Sequence, residues 1–347
     1  MTTHVLAGDI GGTNARFALF ELGKTPRFVH GASLESKAYP SLEKALDEFL
    51  EDARAEGFLD RKTKIAAASF GIAGPVVDQT VKTTNLPWKI DAKKLGKHAK
   101  IAKLTLLNDL VSIGMGALAA PKNKLSIVRG GRPKTKAANV AVIAAGTGLG
   151  EAFFVWDGTE HIACASEGSH VDLAPRNEIE DRLLVELRKE LKGRVSYERI
   201  ASGSQITRVY RFFTKTVGVK ETKAVTAELE KAEDTNVAIT ELAVSGKSEA
   251  AMRTIDLWCS VYGAEAGNLV LKTLATGGLF VCGGVSARLA DVLAKGLPHR
   301  KAKVSPFVEA FLDKGRMHHI VDATPIAVCI EPKAGLLGAA SHAAGQV

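Results

Sequence analysis

The chain carries one short pattern twice: an apolar strand, a glycine-rich turn and a second apolar strand. Residues 4–21 read HVLAGDIGGTNARFALFE and residues 139–156 read NVAVIAAGTGLGEAFFVW. The β-branched and alternating apolar flanks predict a β-hairpin about each turn. A repeated hairpin limits the folds open to the chain, because it points to two β-containing halves related by internal duplication. The length agrees, since 347 residues are too many for one ordinary core and enough for two α/β lobes.

Thirty-three glycines against eleven prolines matter because several cluster in these turns. In the first, Gly8, Asp9, Ile10, Gly11, Gly12, Thr13 and Asn14 can present successive backbone N–H groups to an anion, with the Thr13 hydroxyl as a further donor. An ordinary hairpin turn is the alternative. A P-loop or Rossmann turn is excluded, because ARFALFE reads as a strand where those motifs open a helix. The second turn, Gly146, Thr147, Gly148, Leu149 and Gly150, shifts the balance, since two such hairpins can clamp one polyphosphate from two sides. Asp9 is placed either to hold a divalent cation through its water shell or to form an Asx turn. Gly283 and Gly284 follow the strand LFVC and precede SARL, a strand-turn-helix that can approach a nucleotide closely, with Ser286 as its N-cap.

Elsewhere, residues 41–56 place Leu42, Ala45, Leu46, Phe49 and Leu50 on one helical face behind Ser41 as N-cap. KIAAASFGIAG and KLTLLND read as strands, and LVSIGMGALAA as the helix after the second. Asn108 and Asp109 thus emerge at a strand's carboxyl end, where ligands collect in α/β sheets. Asp109 is the candidate general base, with a helix N-cap as the alternative. Ser166 to Asp172 crowd Glu167, His170 and Asp172 within seven residues. A metal site lacks the helical HExxH spacing, whereas carboxylates and imidazole suit a polyol. Glu198, in VSYERIASG, either joins them or is an exposed acid at a helix start. The second half is more helical, with apolar stripes from Ile179 to Leu191, over 223–244 and over 249–275, and the tail AGLLGAASHAA is a small-residue helix suited to close packing.

The net charge of +8 collects in KKLGKHAKIAK (93–103) and PKNKLSIVRGGRPKTKA (121–137). Neither stretch has interleaved aromatics, so both read as solvated surface and not as a nucleic-acid platform. Cys164, Cys259, Cys282 and Cys329 form no CxxC pair and read as buried thiols in a reducing compartment. No signal peptide or membrane span is expected, which places the chain in the cytoplasm.

Together these motifs resemble the bacterial glucokinase family of the actin and sugar-kinase superfamily over essentially the whole chain. GDIGGTNARFAL and GTGLG look like its two phosphate loops, FGIAGPV its sugar-side loop and LLNDL its catalytic segment. SEGSHVDLAP looks like its sugar-binding stretch, YERIASG its following glutamate and VCGGVSARL its adenosine loop. The resemblance implies a two-lobed actin/hexokinase-like (ribonuclease H-like) fold, with a mixed five-stranded sheet in each lobe and a cleft that closes on the sugar. The lobes would be a small domain, residues 1–118 plus 331–347, and a large one, 119–330. It further implies ATP-dependent phosphorylation of glucose, with Mg²⁺ at Asp9, Asp109 as base, and Asn85, Asn108, Glu167, His170 and Glu198 on the other hydroxyls. Gly8 to Thr13 and Gly146 to Gly148 would take ATP phosphates, and a homodimer is expected. The alternatives are a kinase for another hexose or amino sugar, and a weakly catalytic sugar sensor. The CxCGxxGCxE zinc signature of the related repressor and kinase family is absent, and Ser169 stands where many relatives carry glycine.

Overall fold

Val5, Leu6 and Ala7 are all fully buried in strand β1 (Thr2–Ile10), so β1 must have both faces covered. It pairs antiparallel with β2 (Asn14–Glu21), which pairs with β3 (Arg27–Glu35). On its other side β1 pairs in parallel with β4 (Thr63–Ile72). A two-stranded ribbon, β5 (Thr80–Lys82) with β6 (Lys89–Asp91), precedes β7 (Leu104–Asn108), which lies parallel to β4. The resulting mixed sheet has the order β3-β2-β1-β4-β7. This computed structural model describes residues 2–23, 25–60, 63–83, 86–135, 137–300 and 304–347.

One face of the sheet is covered by the helix Leu42–Ala55, whose buried stripe is the expected one, and Phe17 stacks on Phe49 at 5.5 Å. Ser41 sits at the N-cap position with extended backbone, yet its side chain makes no capping bond. The other face is covered by the C-terminal helix Ala334–Gly345, through Leu336, Ala339, Ala340 and Ala343. These elements form one compact unit, Met1–Lys124 with Glu331–Val347.

The second compact unit, Leu125–Ile330, holds β8 (Leu125–Arg129), β9 (Val140–Ala145), β10 (Leu149–Trp156), β11 (His161–Ser166), β12 (Gly278–Cys282) and β13 (Ile326–Cys329). Its order is β11-β10-β9-β12-β13-β8. Strand for strand, β11, β10, β9, β12 and β13 stand as β3, β2, β1, β4 and β7 do in the first sheet, with the same parallel and antiparallel senses. The sixth strand corrects the expectation of five in each half. β8 lies inside the lysine-rich stretch 121–137, where the charge density of the flanks hid a short edge strand antiparallel to β13. β9 is buried at every position, as a central strand with parallel and antiparallel neighbours should be. The long helix Glu249–Thr273 runs through this unit's core with Trp258 and Tyr262 fully buried.

Gly8 turns out to be interior strand. A Cβ there would lie 2.7 Å from Cδ1 of Phe70, so its missing side chain makes room for that ring. Gly8→Ala is expected to cost about 1–3 kcal/mol by overpacking. The check is the urea midpoint, which should fall with an unchanged slope; an unaltered midpoint would mean the ring simply moves aside.

Candidate active site

In the first unit the carboxyl ends of the parallel strands β1, β4 and β7 lie side by side: Ile10 is paired with Ile72, and Ile72 with Asn108. The turn between β1 and β2 is therefore Gly11 to Thr13, shorter than expected, because Gly8, Asp9 and Ile10 end β1 and Asn14 begins β2. Gly11 N–H donates to the Asn14 carbonyl at 2.9 Å, while no backbone acceptor among the described residues takes the N–H groups of Gly12 and Thr13. Those two donors are what the turn can offer an anion. Ser36 braces the turn from outside, its hydroxyl donating to the Gly11 carbonyl at 2.8 Å.

Asp9 forms no Asx turn. Its carboxylate accepts from Arg16 Nη1 at 3.0 Å, directly across the hairpin. The backbone of Gly335 passes so near that a Cβ there would come within 3.1 Å of the Asp9 carboxyl carbon. One carboxylate suits a hydrated magnesium that arrives with a polyphosphate, and does not suit an ion held by protein alone.

Asn108 and Asp109 divide the work that sequence left open between them. Asn108 caps the helix Asp109–Ala119, its Oδ1 accepting from Leu110 N at 3.0 Å and Val111 N at 3.4 Å. Its Nδ2 donates to the Gly74 carbonyl at 3.2 Å, which ties the loop after β4 to the helix start. Asp109 is the first helical residue, and its Oδ1 accepts from its neighbour Leu110 N at 2.9 Å. The cap is thus mainly Asn108's, and among the described residues only one amide hydrogen of Asn108 is uncommitted for a ligand. Asn85, expected beside them, lies outside the described residues.

In the second unit Glu167, His170 and Glu198 converge. His170 Nε2 lies 3.7 Å from Glu167 Oε2, and its Nδ1 lies 3.9 Å from Glu198 Oε1. Glu198 begins the short helix Glu198–Ala201, but it is not a solvated helix-start acid: its side chain is 25% exposed and its Oε2 accepts from Leu149 N at 3.2 Å. The carboxylate is thereby fixed to the end of the turn Gly146 to Gly148. Asp172 points elsewhere, paired with Arg194 at 3.2 Å. The convergence gathers carboxylate acceptors about an imidazole, and among the described residues no group of three such side chains is placed to hold a metal ion.

A cavity of about 230 Å³ opens beside the same turn. Gly146 and Thr147 line it, with Gly203, Ser204, Asp234, Asn236, Val285 and Arg288. Sequence reasoning missed Asp234 and Asn236 because no local motif marks them. Asp234 Oδ1 caps a helix through Asn236 N at 2.9 Å, and Asn236 Oδ1 accepts from Thr207 N at 2.9 Å. Gly203 could have been found, since it closes the YERIASG segment; its N–H donates to the Gly146 carbonyl at 2.9 Å. Gly283 and Gly284 do not line the cavity; the residues after them do. Gly283 is required by its φ of +91° and by Ala145, whose carbonyl oxygen a Cβ would meet at 2.3 Å. Ser286 is buried inside the helix Gly284–Arg288 and is no N-cap; its hydroxyl meets Tyr262 Oη at 3.0 Å. Trp258 Nε1 donates to the Ser202 carbonyl at 3.2 Å, so the long helix anchors both the Glu198 loop and the cavity wall.

One lesser expectation needs adjustment, for the cysteines, and the lysines of the stretch 93–103 are exposed as expected. Cys259, Cys282 and Cys329 are buried as expected, whereas Cys164 is partly exposed on β11. Lys93, Lys94, Lys97 and Lys100 are exposed around the helix Ala92–Ala99, and Lys136 of the second basic stretch lies outside the described residues. Among the described residues no helix is long and apolar enough to cross a membrane.

Comparison with known proteins agrees with this arrangement. The glucokinase family profile matches residues 6–346. A glucokinase of Trichormus variabilis is 35% identical, covering 99% of both chains. The crystal structure of a glucokinase from an Antarctic psychrotroph superposes with a TM-score of 0.80 at 28% identity over 99% of each chain. A ROK-family glucokinase from Streptomyces griseus, crystallised with glucose and AMPPNP, has a TM-score of 0.62 at 20% identity, covering 98% of this chain and 99% of its own, and shares the fold. The two mixed sheets are those of the actin/hexokinase-like sugar kinases. With a full-length profile match and a full-length relative at this identity, the chain belongs to the glucokinase family.

Proposed function

We propose that the protein transfers the γ-phosphoryl group of ATP to the primary hydroxyl of glucose. The observation that carries this reading is the division of chemistry just described: a strand-end carboxylate beside its own cap in one unit, and a hydroxyl-binding cluster bonded to a glycine turn in the other. Asp109 accepts the proton of the primary hydroxyl while the hydroxyl oxygen bonds to the γ-phosphorus and the bond to ADP breaks. Glu167, His170 and Glu198 orient the remaining hydroxyls, together with the uncommitted amide hydrogen of Asn108 and with Asn85. Gly12 and Thr13 N–H, and those of Thr147 and Gly148, take the phosphate oxygens. The cavity at Asp234, Asn236 and Arg288 receives the nucleoside. Magnesium, held through water by Asp9, would neutralise phosphate charge when bound with the nucleotide.

The family membership supports the same substrates, and the relative crystallised with glucose and AMPPNP supports the donor class. On this reading the units Met1–Lys124 with Glu331–Val347 and Leu125–Ile330 serve as the small and large lobes of a cytoplasmic homodimer whose product enters glycolysis. The test is coupled ADP release over glucose, mannose, fructose and N-acetylglucosamine, with ATP and polyphosphate as donors in parallel. Glucose with ATP should give the highest kcat/KM. Another sugar ranking first reassigns the substrate, and turnover with none of them overturns the kinase reading in favour of a sensor.

A further inference from the structure

Below the sugar cluster lies an acid pair that phosphoryl transfer does not use. Glu151 stands on β10 opposite Ser166 and is 1% exposed. Neither of its carboxylate oxygens meets a hydrogen-bond donor among the described residues. The group that faces it is the carboxylate of Glu265, itself fully buried on the helix Glu249–Thr273. Two acceptors without a donor between them are costly in a buried setting, and one shared proton satisfies both. Burial, and then the charge of Glu265, push the Glu151 carboxyl up to about 8.

Both arms of the sugar cluster rest on this pair. The turn that carries Glu167 and His170 passes directly over Glu151: a Cβ on Gly168 would lie 2.2 Å from Glu151 Oε2. On the other side, Glu265 Oε2 accepts from Asn268 Nδ2 at 2.9 Å, and the same Nδ2 donates to Tyr197 Oη at 3.2 Å. Tyr197 immediately precedes Glu198. Other charged or titratable groups also face the pair. Lys272 Nζ lies 3.0 Å from Glu265 Oε1, Tyr262 stands on the same long helix, and Lys314 and Arg176 approach from neighbouring segments.

We propose that Glu151 and Glu265 share one proton as a positioning device, which holds the Glu167–His170 turn and the Tyr197–Glu198 segment in register for hexose, and that loss of this proton weakens hexose binding. The proposal rests on the reading that Glu167, His170 and Glu198 bind sugar hydroxyls. Protonated Glu151 donates to Glu265; once ionised, two buried carboxylates repel each other, and Lys272 beside Glu265, with Lys314 further off, offsets that only in part. The raised carboxyl keeps its proton at neutral pH and gives it up as pH rises through the value above, so the effect falls on the alkaline side.

The experiment measures glucose KM and kcat against pH in the full chain, with Glu151→Gln and Glu265→Gln alongside. In the unaltered protein KM should rise about tenfold between about pH 7 and about pH 9, as the protonated fraction falls, while kcat changes by less than about twofold. In Glu151→Gln, which stays neutral and keeps a donor, KM should be level across that range. An equal alkaline rise in Glu151→Gln would assign the effect to another group, such as Lys314, whose own value burial lowers to about 8, and would overturn the proposal. A level KM in the unaltered protein overturns it without any variant. Should Glu151→Gln fail to fold, Glu265→Gln tests the pair instead: without the neighbouring charge Glu151 gives up its proton more readily, so the alkaline rise in KM should move to lower pH, and an unmoved profile overturns the proposal. Glu198→Gln at neutral pH separates the two readings: unchanged KM there removes the sugar site itself, whereas a raised KM together with a level wild-type profile removes only the proton-sharing pair.

Discussion

Replacing Asp109 by asparagine is expected to lower kcat by about 10³-fold while leaving equilibrium binding of glucose within a few-fold of the unaltered protein. The amide has the size of the carboxylate and keeps an oxygen able to accept from Leu110 N, the bond Asp109 makes now. The helix start survives in addition because Asn108 carries the cap. What the amide cannot do is accept the proton of an attacking hydroxyl. The substitution therefore isolates proton transfer from folding and from sugar recognition. Coupled ADP release and calorimetric titration with glucose measure the two arms. A kcat within about tenfold of the original would remove Asp109 as base, since general-base assistance contributes about 10²–10⁴-fold.

The second large effect is one of stability. The helices Asp109–Ala119 and Ala334–Gly345 meet backbone to backbone: a Cβ on Gly338 would lie 1.8 Å from the Ser112 carbonyl oxygen, and one on Gly116 would lie 1.8 Å from that of Ala334. A main-chain carbonyl, unlike a flexible side-chain end, cannot swing away. Gly338→Val is expected to destabilise the first unit by about 3 kcal/mol or more and to lower its melting temperature by about 10 °C. Because Asp109 heads one of these helices and Gly335, near Asp9, belongs to the other, glucose turnover below the melting temperature should fall as well. Differential scanning calorimetry provides the measurement, and an unshifted transition would mean that the two backbones part readily enough to admit the side chain.

Much of this architecture is legible in the amino-acid order because it is set by local chemistry. The glycine turns with apolar flanks mark both hairpins, and their recurrence anticipates a shared strand order, which the sheets display. The polar pair Asn108–Asp109 after KLTLL marks a strand's end for the same reason: a half-buried strand does not spend two polar residues without use. Other features depend on partners distant in sequence. Asp234 and Asn236 reach the cavity through a helix whose position depends on Thr207, and nothing around residue 234 signals that. Ser286 looks like a cap until Tyr262, on another helix, claims its hydroxyl. Gly8 reads as a turn glycine because Gly11 and Gly12 follow within four residues, whereas Phe70 on the adjacent strand gives it its purpose. The edge strand Leu125–Arg129 is concealed because an edge needs few apolar residues and tolerates lysines on either side.

The first unit is closed by a helix, Ala334–Gly345, that the ribosome makes only after the whole of the second unit has been made. Until then Val5, Ala18 and Ala67 present a bare apolar sheet face to the cell. The nascent chain thus carries an unfinished domain through most of its own synthesis, while the contiguous second unit can already condense. Translation that terminates after Ile330 but before the helix Ala334–Gly345 is complete releases a product with one folded unit and one sticky sheet, which marks such fragments for chaperone capture or degradation.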